Sequence, residues 1–153
     1  MEIKLSEEDG IYSYSKKRFR KDLNPILAVH PFFPGCEDTP NYMARIKTII
    51  KDYEGPLISF VGNNVLHETI QIYKDAGRKN ASFFVETYPV GPELTDSSWD
   101  NVFALLQSFR HPLHLVGGCL GKEMGRGCLK YTSRKLKSGN FSVEIREEVT
   151  FDF

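Results

Sequence analysis

Four side chains in this sequence carry the chemistry of a catalytic site, and they lie at or soon after the ends of short apolar runs. His30 ends the first run and Glu86 the third, Cys119 follows the fourth run, and Cys128 comes shortly afterwards. An imidazole or a carboxylate can transfer protons, and a thiol becomes a nucleophile when its pKa is lowered. These four residues are the candidate catalytic residues. The structural alternatives are a hydrogen-bonded histidine packed under the loop that follows it, and small buried thiols, the usual state of cysteine.

Polar and glycine-containing loops follow the apolar runs and predict a binding site for a small anion. Gly117 and Gly118 end the fourth run, and backbone N–H groups in such a place can hold a phosphate or a carboxylate. The spacing matches neither the dinucleotide-binding nor the P-loop glycine pattern, and glycines after a strand can also serve packing alone. The predicted ligand-binding residues are His30, Asn63, Asn64, Glu86, Gly117 and Gly118.

Four apolar runs, 26–30, 57–61, 82–86 and 113–117, set the expected fold. Runs that are apolar on both faces are typical of parallel strands covered by helices, so we expect these four to be parallel neighbours in one sheet. A fifth run, 141–145, alternates more clearly and is expected at or near an edge. The sequence thus predicts a three-layer α/β sandwich with a mostly parallel five-stranded sheet, Rossmann-like or flavodoxin-like, and leaves the strand order open.

Amphipathic segments between these runs predict helices. They are expected at about 40–54, at about 65–76, from Ser97 or Ser98 onwards, and from near Gly127 to Gly139. The third helix is expected to bury Trp99, Val102, Phe103 and Leu106, with Trp99, Phe103 and Leu106 on one face against the sheet.

Residues 1–24 are expected to form an N-terminal arm or hairpin packed on a single α/β domain that spans residues 1–153. Two alternating segments, 3–5 and 11–14, flank the turn signal Glu8-Asp9-Gly10. Both a hairpin and a frayed arm satisfy this pattern.

The carboxyl ends of the parallel strands are the expected place for a ligand, because open α/β sheets bind ligands there, near the point where the strand order reverses. We expect His30, Asn63, Glu86 and the backbone of Gly117 and Gly118 to line one depression at this edge. The mixture of donors and acceptors suits a polar ligand such as a ribose phosphate.

The composition is that of an ordinary globular protein, and a formal net charge of zero makes nucleic acid an unexpected partner. No apolar run approaches the roughly 20 residues that cross a bilayer, and the acidic N-terminal stretch has no signal-peptide core. We therefore expect a cytoplasmic protein that does not enter membranes. The sequence leaves open whether the chain forms a homo-oligomer.

The cysteines and histidines predict neither a disulfide framework nor a metal site. The three cysteines, Cys36, Cys119 and Cys128, cannot all pair, so we expect reduced thiols. His111 and His114 flank the start of the fourth run, away from the expected site, and no cysteine and histidine cluster has zinc spacing. No cofactor is identified by the sequence.

The stretch 116–150 resembles the end of isochorismatase-like cysteine hydrolases and covers less than a quarter of the chain. The residues that carry this resemblance are Gly117, Cys128, Gly139 and Val143. It implies that Cys128 rather than Cys119 is the nucleophile. His30 stands where that family has an acid, and no residue matches its lysine, so the catalytic set is incomplete and membership is not predicted.

Three functions fit these features. The first is a small domain that binds an anionic metabolite or nucleotide at the carboxyl ends of the strands. The second is a cysteine-dependent hydrolase or transferase with His30 or Glu86 as the partner of the thiol. The third is a non-catalytic interaction or assembly module that uses the aromatic loop at Phe32 and Phe33 and a basic face. The basic face consists of residues at every fourth position, namely Lys122, Arg126, Lys130 and Arg134. The first two require a concave pocket, whereas the third requires an exposed apolar patch.

Overall fold

A computed structural model describes residues 6–14, 19–33, 36–89, 91–119 and 127–151 of the chain. Within them the chain forms an α/β fold with one mixed seven-stranded sheet and four α-helices. The strands are β1 (Ser6–Glu8), β2 (Ile11–Tyr14), β3 (Ile26–Val29), β4 (Leu57–Gly62), β5 (Ser82–Thr87), β6 (Leu113–Gly117) and β7 (Val143–Thr150). The helices are α1 (Pro40–Asp52), α2 (Leu66–Asp75), α3 (Trp99–Leu106) and α4 (Cys128–Ser138).

The strands lie in the order β1-β2-β5-β4-β3-β6-β7. β3 pairs in parallel with β4 on one side and with β6 on the other, and β5 and β7 extend the parallel part on either side. The prediction that the four apolar runs are parallel neighbours is therefore confirmed, and the last strand lies at an edge of the described sheet. Every residue of β4 and β6 is buried, which explains why their sequences are apolar on both faces.

The prediction of a five-stranded sheet was wrong, because the N-terminal hairpin adds two strands. β2 pairs antiparallel with β5, and β1 pairs antiparallel with β2, so the sheet is mixed. The turn residues Asp9 and Gly10 both have positive φ, 54° and 77°, as the tight turns of two-residue hairpins require. Without this hairpin β5 would present an open edge of unpaired backbone groups. The expected strand 3–5 lies outside the described residues.

Apolar side chains on the two faces of the sheet enter two separate hydrophobic clusters. Leu27 and Val29 of β3 belong to the cluster that includes residues of α3 and α4. Ala28, between them, belongs to the cluster that includes residues of α1 and α2. This division of the helices fits the three-layer arrangement expected from the sequence.

The buried stripe of α3 is narrower than expected. Val102 and Leu106 are fully buried, whereas Trp99 and Phe103 are only partly buried and pack against the edge of the cluster. The expectation that Trp99 and Phe103 are core residues was therefore wrong. The reason is geometric, because Val102 and Leu106 are four positions apart and define the face toward the sheet, and Trp99 and Phe103 both lie to one side of that face.

β7 extends beyond the predicted strand 141–145 and reaches Thr150. A shift of register opposite Leu115 and Gly117 of β6 absorbs its extra residues. Beyond the shift, Phe151 donates its backbone N–H to the carbonyl oxygen of Gly117 over 3.1 Å. The end of the described chain is thereby held at the carboxyl end of β6.

The strand order reverses at β3, since β4 and β5 follow on one side and β6 and β7 on the other. The carboxyl ends of these five parallel strands lie at one edge of the sheet. This edge carries the loops in which the sequence predicts a site.

None of the α-helices in the described residues is long and apolar enough to cross a membrane.

Candidate functional site

A cavity of about 290 Å³ lies at the carboxyl ends of β3 and β4, beside α2. It is formed by the turn after β3, the end of β4, the first turns of α2 and the loop after β5. Its described lining residues are His30, Pro31, Phe32, Phe33, Val61, Gly62, Asn64, Val65, Glu68, Thr69, Ile72 and Pro89. Three of the loops that the sequence singled out therefore meet at one concave site.

The backbone of His30 turns the chain from β3 into this cavity. Its φ of 43° is in the left-handed region, which residues other than glycine rarely adopt. The strand pairing continues to this residue, because its N–H donates to the carbonyl oxygen of Phe60 over 2.8 Å. Its own carbonyl oxygen accepts from the N–H of Phe33 over 3.1 Å, which closes the turn. Backbone strain of this kind collects at functional sites.

The imidazole of His30 is 5% exposed and forms a hydrogen bond to the end of β5. Its Nε2 lies 2.8 Å from Oγ1 of Thr87, and this hydroxyl donates its proton to the carbonyl oxygen of Tyr88 over 2.9 Å. We assign the single hydroxyl proton to the Tyr88 carbonyl, which makes Nε2 the donor to Thr87 and leaves Nδ1 with its lone pair. In the described part of the chain, Nδ1 has no hydrogen-bond partner.

Burial also fixes the charge of this histidine. Desolvation lowers the pKa of His30 from 6.5 to about 4, so the ring is neutral at neutral pH. Phe33 stacks against it, with ring centroids 6.0 Å apart and planes 20° apart. The cavity therefore has a neutral hydrogen-bond acceptor held between an aromatic ring and a threonine.

The remaining wall of the cavity is mostly apolar and carries no basic side chain among its described residues. Glu68 is its acidic group, and Asn64 and Thr69 are its uncharged polar side chains. Thr69 already donates its hydroxyl to the carbonyl oxygen of Val65 over 2.8 Å. The electrostatics thus favour a neutral or cationic ligand over an anion.

One exposed apolar side chain lines this cavity. Among the described residues, the large hydrophobic side chains that are exposed are Val65, at 39%, and Tyr88, at 56%. Val65 lines the cavity, and Tyr88 precedes Pro89, which also lines it. Exposed apolar surface at a concave site is typical of a place where a ligand is bound.

Of the predicted ligand-binding residues, the structure brings His30 and Asn64 together in this cavity. Asn63 is exposed outside its lining and donates its backbone N–H to the carbonyl oxygen of Thr87 over 2.9 Å. Glu86 is also outside the lining, although it is buried at the end of β5.

Glu86 lies in a different group of polar side chains, with Asp96 and Tyr12. Burial raises the pKa of Glu86, and the neighbouring Asp96 carboxylate raises it further. Burial and the charge of Glu86 raise the pKa of Tyr12 to about 12, and its hydroxyl lies 3.4 Å from Oδ2 of Asp96. This group joins the hairpin to the loop after β5.

Gly117 and Gly118 are packed closely by neighbouring chain segments. Gly117 has a φ of 103°, and a Cβ atom there would overlap the carbonyl oxygen of Val29. Gly118 donates its N–H to that same oxygen over 2.9 Å, and a Cβ atom there would overlap the ring of Phe151. Close packing accounts for both glycines, and the N–H of Gly118 is already bonded within the protein.

None of the three cysteines of the described residues is in a disulfide, and Cys128 is the first residue of α4. Burial raises the pKa of the Cys128 thiol, which opposes formation of a thiolate. Cys119 is partly exposed at the end of β6, and Cys36 is buried beside Met43.

The basic face predicted from Lys122, Arg126, Lys130 and Arg134 lies partly outside the described residues, since 120–126 are not described.

The described residues contain no group of three or more histidine, cysteine, aspartate or glutamate side chains that could hold a metal ion. His114 is buried near the amino end of β6, and its Nδ1 accepts from Nε of Arg146 over 2.8 Å. Burial and the charge of Arg146 lower the pKa of His114.

Sequence reasoning missed Thr87 and the part of the site that belongs to α2. Thr87 is the last residue of β5 and gives no signal of its own, because its importance depends on which strand lies next to which. Val65, Thr69 and Ile72 follow the spacing of a helix face, which is equally typical of a core-facing helix.

Comparisons of the chain with protein-family models, with curated proteins and with solved structures found no significant match. We therefore infer a function from the chemistry of the site.

Proposed function

We propose that this chain binds a small, uncharged aromatic molecule in the cavity beside α2, through a hydrogen bond from the ligand to Nδ1 of His30. The observation that carries the proposal is a buried, neutral imidazole with a free acceptor atom on a residue that lines an otherwise apolar cavity. A buried acceptor without a partner costs free energy, which a ligand that brings an N–H or O–H group restores. Binding at the carboxyl ends of the strands is thus retained from the sequence prediction.

The size and the walls of the cavity support a ligand of one or two rings. Ligand cavities usually begin at roughly 300 Å³, and this one measures about 290 Å³. Phe32 and Phe33 offer ring surfaces for stacking or edge contacts. The exposed Val65, which lines the cavity, would lose contact with water when a ligand covers it.

An anionic metabolite, the class expected from the sequence, finds less support at this position. The described lining carries Glu68 and no lysine or arginine, so a phosphate would be repelled rather than neutralised. The cysteine-dependent hydrolase finds less support as well, since burial raises the pKa of Cys128 and His30 is bonded to Thr87.

The order of the parallel strands supports a further part of the proposal, namely that the fold is Rossmann-like rather than flavodoxin-like. Counted along the chain, the five parallel strands follow the order 3-2-1-4-5, which is the order of the dinucleotide-binding sheets, whereas flavodoxin-like sheets follow 2-1-3-4-5. The cavity lies on the β3 and β4 side of the reversal point.

Binding of indole, a neutral two-ring compound with one N–H donor, tests the proposal. Ligand-observed NMR should detect binding with a dissociation constant of about 1 mM or below. Val65→Trp fills the mouth and should abolish this binding. Gln71→Trp, at an exposed position of α2 outside the cavity lining, should leave it unchanged. Equal binding by both variants, with both folded by circular dichroism, would place the indole elsewhere and overturn the proposal.

A further inference from the structure

Two cysteines are brought together between the end of β6 and the start of α4. Cys119 follows Gly118, and Cys128 is the first residue of α4. The carbonyl oxygen of Cys119 accepts a hydrogen bond from the N–H of Leu129 over 3.2 Å. Because Leu129 directly follows Cys128, this hydrogen bond holds the backbone of one cysteine next to the backbone of the other.

The electrostatics of Cys128 also place Cys119 beside its thiol. Burial raises the pKa of the Cys128 thiol, a hydrogen bond from the Cys119 backbone lowers it, and a negative charge on Cys119 would raise it. The last two effects require that the two residues be close neighbours.

Access to solvent separates this pair from the third cysteine. Cys119 and Cys128 are both partly exposed. Cys36 is 3% exposed, and its Sγ lies 3.6 Å from Sδ of Met43. An oxidant in solution can therefore reach the pair more readily than it can reach Cys36.

We propose that Cys119 and Cys128 are a redox modification site, which forms an intramolecular disulfide when the protein meets a hydroperoxide. The thiolate of Cys119 attacks the terminal peroxide oxygen, the O–O bond breaks, and a sulfenic acid and an alcohol or water result. The thiolate of Cys128 then attacks the sulfenic sulfur, the S–O bond breaks, and the hydroxide that leaves takes up a proton to become water. Two thiols are oxidised and one peroxide is reduced.

The bond would join the start of α4 to the end of β6. Neither cysteine lines the cavity in which we propose that a ligand binds, so oxidation of this pair does not depend on ligand binding there.

Peptide mapping after oxidation tests the proposal. Folded Cys36→Ser protein is treated with hydrogen peroxide, its remaining thiols are blocked with N-ethylmaleimide, and it is cut with trypsin. Since Lys122 and Arg126 lie between the two cysteines, a disulfide would link peptides 111–122 and 127–130. We expect this linked species, and we expect dithiothreitol to remove it. Cys119→Ser and Cys128→Ser, shown to be folded by circular dichroism, should not form it.

The same treatment in concentrated urea shows whether the fold brings the thiols together. We expect the linked species to form about tenfold or more faster in the folded protein, because the thiols are held in place there. Sulfenic or sulfinic acid at either cysteine without a link, or equal rates in the folded and unfolded chain, would overturn the proposal.

Discussion

Nε2 of His30 lies 2.8 Å from Oγ1 of Thr87, although β4 lies between the strands that these residues end. The bond ties the end of β3 to the end of β5 across the intervening strand. It also decides the chemistry of the cavity, because it uses one ring nitrogen as a donor and leaves the other as an acceptor.

Replacement of Thr87 by valine tests this bond. Valine keeps the shape of the side chain but leaves the buried Nε2–H without an acceptor, so we expect a loss of about 1–3 kcal/mol in the free energy of unfolding. Urea denaturation measures the change. Thr48→Val, on an exposed face of α1, is the matched control and should change stability by less than about 0.5 kcal/mol. If the two substitutions changed the free energy of unfolding equally, the hydrogen bond between His30 and Thr87 would contribute nothing to stability.

The depressed pKa of His30 predicts how stability depends on pH. Burial lowers its pKa from 6.5 to about 4 in the folded state, so between these values the unfolded chain binds more protons than the folded chain. The contribution of His30 to the free energy of unfolding is therefore complete above the pKa that the residue has in the unfolded chain, about 6.5. As the pH falls from about 6.5 to about 4, this contribution decreases by up to about 3 kcal/mol.

The matched variant for this pH dependence is His30→Asn, because asparagine tolerates a positive φ and does not titrate. Its urea midpoint should fall less steeply over the same pH range than that of the wild type. Burial also lowers the pKa of His114, which contributes in the same direction in both proteins. Parallel curves for the two proteins would contradict the assigned environment of His30.

Arg78 is predicted to be a major determinant of stability. Its side chain is 6% exposed and donates to Oγ of Ser82 and to backbone carbonyl oxygens. These oxygens belong to Ile50, Tyr53, Gly55 and Ala81. Arg78→Met would remove this buried donor from each of these oxygens, so we expect a loss of about 3 kcal/mol or more in chemical denaturation. Lys79→Met, at an exposed neighbour, should cost less than about 0.5 kcal/mol.

The packing of Phe151 on Gly118 predicts a coupled pair of substitutions. Gly118→Ala places a methyl group into the ring of Phe151 and should cost about 1–3 kcal/mol. In the background of Phe151→Leu the same substitution should cost less, because the smaller side chain leaves room. A double-mutant cycle by denaturant melts measures the coupling. Additive effects would show that Gly118 is needed for some other reason.

The central strands were predictable from sequence, as was the edge of the sheet where the cavity lies, because both follow from local patterns. Residues 57–61 are apolar without alternation because helices cover both faces of the sheet, and His30 stood out because it ends such a run. The hairpin's pairing with β5 was not predictable, since alternation shows that a segment is a strand but not which strand it joins.

The partners of His30 depended on the strand order and were also beyond sequence reasoning. Thr87 reaches His30 only because β5, β4 and β3 are neighbours in that order. Likewise, the ring of Phe151 reaches Gly118 only because β7 lies beside β6. A pair of glycines has the same appearance in a sequence whether it approaches a ligand or a phenylalanine.

The most direct test of the proposed site is the state of the His30 ring nitrogens, measured by long-range ¹H–¹⁵N correlation NMR at neutral pH. The chain has four histidines, and His30→Asn identifies the signals of His30. We predict a protonated Nε2 and an unprotonated Nδ1, whose resonance shifts when indole is added and stays in place with N-methylindole, which lacks the donor. A protonated Nδ1, or a resonance that responds to both compounds equally or to neither, would contradict the account.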